Sequence, residues 1–328
     1  MSRSRFGWLL LFGALGCGSS SSPDTASSDA GLSTGETVAS IGPIAVGAGV
    51  EKTVCITKRL DSAEDLVITE ITATLAPGSH HLIVYRSTDT EEKLTPTPCI
   101  PFAGLAAQQA EPIALIGIKD FSWKFPKGVA IEMAAHQMLR VEAHYINAGM
   151  SSLEGQGSVT FHGSPKSSAP PWQAANLVFW GTSKIDIPAH SQAAVGPNFQ
   201  AGMAGTHLIS ISTHQHELGT GIQVWSAAHA GDVADRIADD LNWANPSWRL
   251  LAMPINFDGT NGLSYQCQWN NTTDAEVKFG ESALNEMCFV GGYYYPSRGF
   301  DLCIDGQCQI RGDAGSPLGD AEAPPETH

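Results

Sequence analysis

The sequence predicts an all-β protein of two tandem antiparallel β-sandwich, jelly-roll-like domains. Three observations carry that expectation. Strand-forming residues come in short runs, 34 Gly and 19 Pro punctuate them, and a Gly/Ser/Pro-rich stretch divides the runs into two blocks. Hydrophobic residues make up 42% of the chain and charged residues 16%, the balance of a packed protein rather than a disordered one. A length of 328 residues suffices for two domains that each bury a core.

At the N-terminus, Arg3 and Arg5 precede an apolar run from Phe6 to Gly16. Eleven residues are too few for a membrane-spanning helix, which needs about 20, so residues 1–16 read as an export signal. The run ends Ala14-Leu15-Gly16-Cys17, with Gly18 and four serines after it, and resembles a bacterial lipobox. That resemblance implies cleavage before Cys17 and a lipid on its sulfur; ordinary cleavage nearby, leaving Cys17 lost or idle, is the alternative. Residues 17–37 read as a Ser-rich tether with nothing to bury, and 312–328 as a disordered tail. Gly18 after the cysteine favours an outer-membrane lipoprotein facing the periplasm or the surface.

Between tether and tail lie the two blocks. Strands are expected at 53–57, 66–74, 81–86, 129–133 and 139–145 in a first domain, 38–163. A second set, at 175–180, 207–216, 221–227, 250–256, 263–269 and 286–295, makes a second domain, 172–311. The boundary is Gly163 to Pro171. Helical signal is confined to 233–241, and no fixed-period repeat is present.

Charge and cysteine usage narrow the function. The formal charge is −15, and loss of Arg3 and Arg5 with the leader would make it more negative still. With no basic stripe to relieve it, nucleic acid is not expected as a partner. Apart from Cys17, the cysteines are Cys55, Cys99, Cys267, Cys288, Cys303 and Cys308, an even set that suits three disulfides in an oxidising compartment.

Three histidine features stand out: His80-His81 after Pro77-Gly78-Ser79, His144 in Val141-Glu142-Ala143-His144-Tyr145, and His214-Gln215-His216. Residues i and i+2 of a strand share a face, so His214 and His216 can offer two imidazoles to one ion. Adjacent histidines diverge in a regular strand, so His80 and His81 converge only at a strand start or a bulge. His136, His162, His190, His207 and His229 read as surface or core residues, and a methionine such as Met287 is by default a core filler. Spacing alone indicates a metal site, with zinc as acceptable as copper.

Taken together and in chain order, these motifs resemble the copper type II, ascorbate-dependent monooxygenases, the family of peptidylglycine α-hydroxylating monooxygenase and dopamine β-monooxygenase. The match runs from His80-His81 through Phe125-Pro126-Lys127-Gly128, Glu142-Ala143-His144-Tyr145 and Ile187-Pro188 to His214-Gln215-His216-Glu217-Leu218-Gly219. It ends with Glu286-Met287-Cys288 and Tyr293 to Pro296, and covers about residues 45–300. The resemblance implies two copper ions per chain, one in each domain, facing each other across an open cleft. His80, His81 and His144 would hold the electron-storing ion, and His214, His216 and Met287 the oxygen-activating one. A thioether favours Cu(I), so Met287 is the residue that argues for redox chemistry. The family also implies disulfides Cys55–Cys99 and Cys267–Cys288; Cys303–Cys308 follows by elimination.

The reaction so implied takes O2, two electrons and two protons, placing one oxygen in a C–H bond of a small organic substrate and one in water. Ascorbate or another reductant supplies the electrons. The peptide-acting enzymes clamp a carboxylate with an Arg, an Asn and a Tyr at positions that here read Ser212, Phe289 and Gly291, which argues against peptidylglycine. Glu142 and the stretch from Gly280 through Asn285 to Pro296 are closer to the dopamine-acting branch, and Phe289 suggests an apolar or aromatic-accepting pocket. A non-catalytic copper-storage lipoprotein would need the same ligands, but copper handlers carry Met/His-rich tracts, and the 7 Met here are scattered.

Overall fold

Strands dominate the computed structural model, which describes residues 35–102, 110–244, 246 and 248–312. The signal, most of the tether, Cys17 and all but Gly312 of the tail lie outside the described residues. The first half contributes β1 (Glu36–Val46), β2 (Glu51–Arg59), β3 (Leu66–Leu75), β4 (Ser79–Ser87) and β5 (Lys93–Pro98). It continues with β6 (Ala110–Ile116), β7 (Asp120–Lys124), β8 (Val129–Met133), β9 (Met138–Ile146) and β10 (Leu153–Pro165). After β11 (Gln173–Ala174) come β12 (Asn176–Gly181), β13 (Asp186–Ile187), β14 (Ser191–Ala201), β15 (His207–His214) and β16 (Gly219–Ala227). The chain ends with β17 (Asp235–Asp240), β18 (Arg249–Asn256), β19 (Gly262–Asn271), β20 (Val277–Lys278), β21 (Phe289–Tyr295), β22 (Phe300–Ile304) and β23 (Gln307–Arg311).

Two sheets form the first half. One has the order β1-β10-β3-β8-β11, with β7 also on β3, and the other β5-β2-β9-β4-β6. The second half pairs a sheet of order β18-β15-β21-β12-β22-β23 with one of order β14-β19-β16-β17, and β13 and β20 make a small separate ladder. Every predicted strand is present. The all-β expectation is borne out, and no helix occurs among the described residues.

Three local expectations are corrected. The tether expected to reach residue 37 gives way to strand at Glu36, because β1 pairs with β10 from Glu36↔His162 onward. The boundary expected to begin at Gly163 is strand as far as Pro165, where β10 still pairs with β3. The helix expected at 233–241 is the edge strand β17. Its backbone completes the ladder with β16, Ala238 is buried opposite Val224, and the Asp240 carboxylate accepts a hydrogen bond from Thr213 Oγ1 at 2.6 Å. A ladder partner with a buried anchor outweighs a weak helical preference.

The sheet containing β12 and β21 positions everything that follows. Its strands alternate between two cores. Val178, Trp180, Val290 and Tyr294 pack inside the second half, while Leu177, Phe179, Phe289 and Tyr293 join the core of the first. A sheet buried on both faces needs a continuous apolar run, which is what Asn176–Gly181 supplies. Tyr293 also donates its hydroxyl proton to the Ile113 carbonyl at 2.8 Å, and its ring stacks on Trp123. The described residues, from Gly35 to Gly312, thus belong to one compact unit. Disulfides Cys55–Cys99, Cys267–Cys288 and Cys303–Cys308 are all formed, as expected.

Candidate metal centre

Pro77 and Gly78 turn the chain into β4, with Gly78 in the left-handed region at φ 81°. The β4–β9 register then slips between Ser79 and His81, which makes His80 the bulged residue and sets His81 directly across from His144. This is the irregularity that two adjacent histidines require to face one point. The rings of His81 and His144 lie 4.9 Å apart, centre to centre, and His80 lies 5.3 Å from each.

On the other side, β15 ends at His214, and the turn closes with Gly219 N–H donating to the His216 carbonyl at 3.0 Å. His214 and His216 face the same way with ring centres 5.1 Å apart. The resemblance leads one to expect two centres across an open cleft. Instead His80 lies 5.8 Å from His214 and 5.6 Å from His216, so all five imidazoles belong to one cluster. The shared apolar core beneath β12 and β21 is the physical reason, since it draws the halves together where a cleft would separate them.

Hydrogen bonds fix which nitrogen each ring turns inward. His81 Nε2 donates to Glu142 Oε1 at 3.3 Å, His144 Nε2 to Glu51 Oε1 at 2.9 Å, and His216 Nδ1 to the Asn285 carbonyl at 3.0 Å. The opposite nitrogens, His81 Nδ1, His144 Nδ1 and His216 Nε2, are buried without a partner, as is His214 Nε2. A neutral imidazole that donates from one nitrogen carries a lone pair on the other. Buried, unpaired acceptors are costly unless something fills them, and here they gather where a cation would satisfy them. Ligand atoms of His80, His81 and His144 lie within 4.8 Å of one another, and so do those of His80, His214 and His216.

Electrostatics keep the rings neutral. Burial holds His80, His81 and His214 well below the ordinary histidine value, and neighbouring imidazoles push them lower. Burial also lowers His144 and His216, partly opposed by Glu51 and by the Asn285 carbonyl respectively. Two buried carboxylates brace the cluster from behind. Glu142 also accepts from Tyr85 Oη at 3.0 Å and Phe102 N at 2.9 Å. Glu286 accepts from His216 N at 2.9 Å, Leu218 N at 2.7 Å and Trp269 Nε1 at 2.9 Å. Burial raises both carboxyls, while their donors pull them down.

Met287 is buried two residues before Phe289, on the face turned toward the first half, whereas Cys288 points into the second. It lines a cavity of about 330 Å³ with Phe102, Phe179 and Phe289, beside the histidines' own cavity rather than within it. His80, His81 and His214 line an apolar cavity of about 60 Å³ with Phe179, Trp248 and Ser212. One water needs ~10–15 Å³ by the same measure, so O2 fits. A second opening of about 390 Å³ reaches His80 and His216 past Gly78, Trp243 and Ala283.

The residues set aside as ordinary are so placed. His162 bonds Glu36 and Thr72, His190 bonds Asp274, and His207 bonds Asn256. Tyr293 and Tyr294 are core, and Phe289 stacks flat on Phe179 at 4.5 Å. Asp301, Cys303 and Cys308 also lie close together, but both sulfurs are in a disulfide and cannot ligate. Glu51 and Asn285 escape sequence reading because each acts on a histidine far along the chain. Glu142 and Glu286, acids inside apolar stretches, are the detectable signal.

Comparison with known proteins agrees with the sequence on the second half. The family model described as copper type II ascorbate-dependent monooxygenase, C-terminal domain, matches residues 189–310. No curated protein matches the chain. Among solved structures, the major capsid protein P2 from bacteriophage PM2 is 8% identical with a TM-score of 0.34, covering 79% of this chain and 97% of that one. A likeness that distant does not define the fold.

Proposed function

We propose, from the match of residues 189–310 to the C-terminal domain model of the copper type II ascorbate-dependent monooxygenases, that this chain is a copper-dependent monooxygenase that hydroxylates a small organic substrate. The observation that carries the reading is a set of four buried, unpartnered imidazole nitrogens, two in each of two close three-histidine groups, beside an apolar cavity. The family uses copper and ascorbate. His80, His81 and His144 would hold one ion, and His214, His216 and Met287 the other.

Copper, when bound, supplies the one-electron steps and the activation of O2. The chain's own residues do the rest. Glu142, Glu51 and Asn285 fix the ring orientations, so the ligands need not reorganise on loading. Phe179, Trp248 and Leu115 wall the inner cavity against bulk water. Among the described residues no Asp, Glu, Lys or Arg lines that cavity, and Ser212 offers only a hydroxyl, which suits an uncharged group rather than a carboxylate. The reductant is ascorbate or an equivalent one-electron donor. Export as a lipoprotein through Cys17 belongs to the same reading.

The test is ascorbate-driven O2 consumption by copper-loaded protein with candidate substrates, followed by mass spectrometry of product made under 18O2. One labelled oxygen in the product supports the monooxygenase. Tight copper binding with no turnover over a broad panel supports storage instead.

A further inference from the structure

We propose that the Cys303–Cys308 hairpin is a reversible thiol–disulfide switch in the wall of the Met287 cavity, opened by a dithiol reductant. The hairpin contains none of the five histidines, so the proposal stands apart from the metal centre. The bond joins residues that the β22–β23 ladder already pairs, Cys303↔Cys308, flanked by Leu302↔Gln309 and Ile304↔Gln307. Asp305 and Gly306, both at positive φ, close that hairpin as a two-residue turn. The cystine spans 5 positions, against 44 and 21 for the other two, so it restrains the unfolded chain least. Stability of the fold therefore gives the least reason for it. Exposure sets it apart as well: of the six bonded cysteines Cys308 alone is exposed, while Cys303 is buried. A disulfide with an accessible sulfur is the kind that exchange can open.

Asp301 is placed to manage the proton. It precedes Cys303 by two residues on the same strand face, is buried, and accepts from Trp180 Nε1 through Oδ2 at 3.0 Å. Its other oxygen, Oδ1, lies 3.5 Å from Cys303 Sγ. A sulfur in a disulfide carries no proton and cannot donate to that oxygen, whereas a Cys303 thiol can. Burial raises the Asp301 carboxyl, with the Trp180 bond opposing it, so burial favours the protonated form. A thiolate of the dithiol attacks the exposed Cys308 Sγ, forming a mixed disulfide and breaking the Cys303–Cys308 bond. The electron pair leaves on Cys303 Sγ, which takes the Asp301 proton. The dithiol's second sulfur loses its proton to solvent and displaces Cys308, which takes a proton from solvent; the dithiol ends oxidised and the hairpin reduced. Exchange with another disulfide reverses the reaction. β23 ends its sheet, held among the described strands by β22 alone, and its alternate residues Gln307, Gln309 and Arg311 line the cavity beside Met287. Opening the bond therefore loosens one wall of that cavity.

The test is incubation of the folded full-length protein with dithiothreitol, followed by alkylation at timed intervals and peptide mass mapping. Cys303 and Cys308 are expected to be labelled at least about tenfold faster than the other two pairs. Asp301→Asn keeps an acceptor for Trp180 but has no proton to give, and should slow that labelling about tenfold or more. A change that only loosened the hairpin would speed it instead. Asp301→Ser serves in its place should a melting curve show the Asn variant unfolded. In the reduced protein, and in a Cys303→Ser/Cys308→Ser double variant, amide hydrogen exchange should rise over Gln307–Arg311 and stay unchanged in β4, β9 and β15. Simultaneous opening of all three pairs, unchanged or faster labelling in the Asp301 variant, or a β23 that stays protected after reduction each overturns the proposal. Failure of the double variant to fold also overturns it, because the cystine would then be a structural staple.

Discussion

At the scale of single residues, the centre is a set of neutral imidazoles kept neutral by burial, and two tests follow. Each of the five has a folded-state value below its ordinary one near 6.5. Stability from these groups is therefore complete above that value and is lost as pH falls beneath it, because the unfolded chain takes up protons that the folded one refuses. Glu142 and Glu286, with raised values, act in the opposite sense: their contribution is present below the ordinary carboxylate range and lost as pH rises through their folded values. Melting temperatures of metal-free protein should fall between pH 7 and pH 5, and those of copper-loaded protein by at least as much, because protons compete with the ion for the same nitrogens. A metal-free melting temperature that stays level or rises over that range would contradict the assignment. The second test is Glu142→Gln, which keeps the volume but removes the anion that orients His81. Copper affinity at the His80/His81/His144 position should fall about 10–100-fold, read by competition with a chelator, while the fold survives.

At the scale of elements, strands with clean apolar alternation were legible and irregular ones were not. The outer strands β1 and β14 are the instructive misses. Each carries a Gly-Pro pair in its middle, Gly42-Pro43 and Gly196-Pro197, which reads as a turn in sequence. Each is an edge strand whose ladder skips at that point, between Ile41 and Ile44 and between Val195 and Asn198. Proline is tolerated there because a bulge on an edge needs no donor. The opposite error arose at β17, where a segment too short to fold alone took its conformation from β16. The histidine motifs were legible because bulge and strand spacing constrain them locally. A prediction belongs at this scale too. Cys267–Cys288 ties β19 to the residue before β21, across the two sheets of the second half. Replacing both cysteines with alanine should cost roughly 2–4 kcal/mol in urea unfolding and weaken Cu(I) binding more than Cu(II), because Met287 loses its covalently fixed neighbour.

At the scale of the molecule, the halves are not independent. The merging of five histidines could not be foreseen, since the residues that cause it, Leu177, Phe179, Phe289 and Tyr293, look in sequence like any core strand positions. Cut at residue 172, the second half would expose these side chains, each worth about 1.5–3 kcal/mol when buried. The isolated fragment should be poorly soluble or bind a dye for exposed apolar surface, while the full chain melts in one transition. A soluble, sharply melting fragment would show that the interface is dispensable.

Glu51 lies on the seam. Its carboxylate accepts hydrogen bonds from His144 Nε2 at 2.9 Å and from the Ala283 amide at 3.0 Å, so one side chain of the first half grips a ligand ring and a loop of the second at once. Prying the halves apart strips the carboxylate of the amide donor from the second half, a loss of about 1.5–3 kcal/mol for a hydrogen bond to a charged group. The ring of His144 would then be steered by an anion free to swing. Separation and ligand alignment are thus mechanically geared: the molecule cannot gape there without disturbing the aim of one of its own metal-seeking nitrogens.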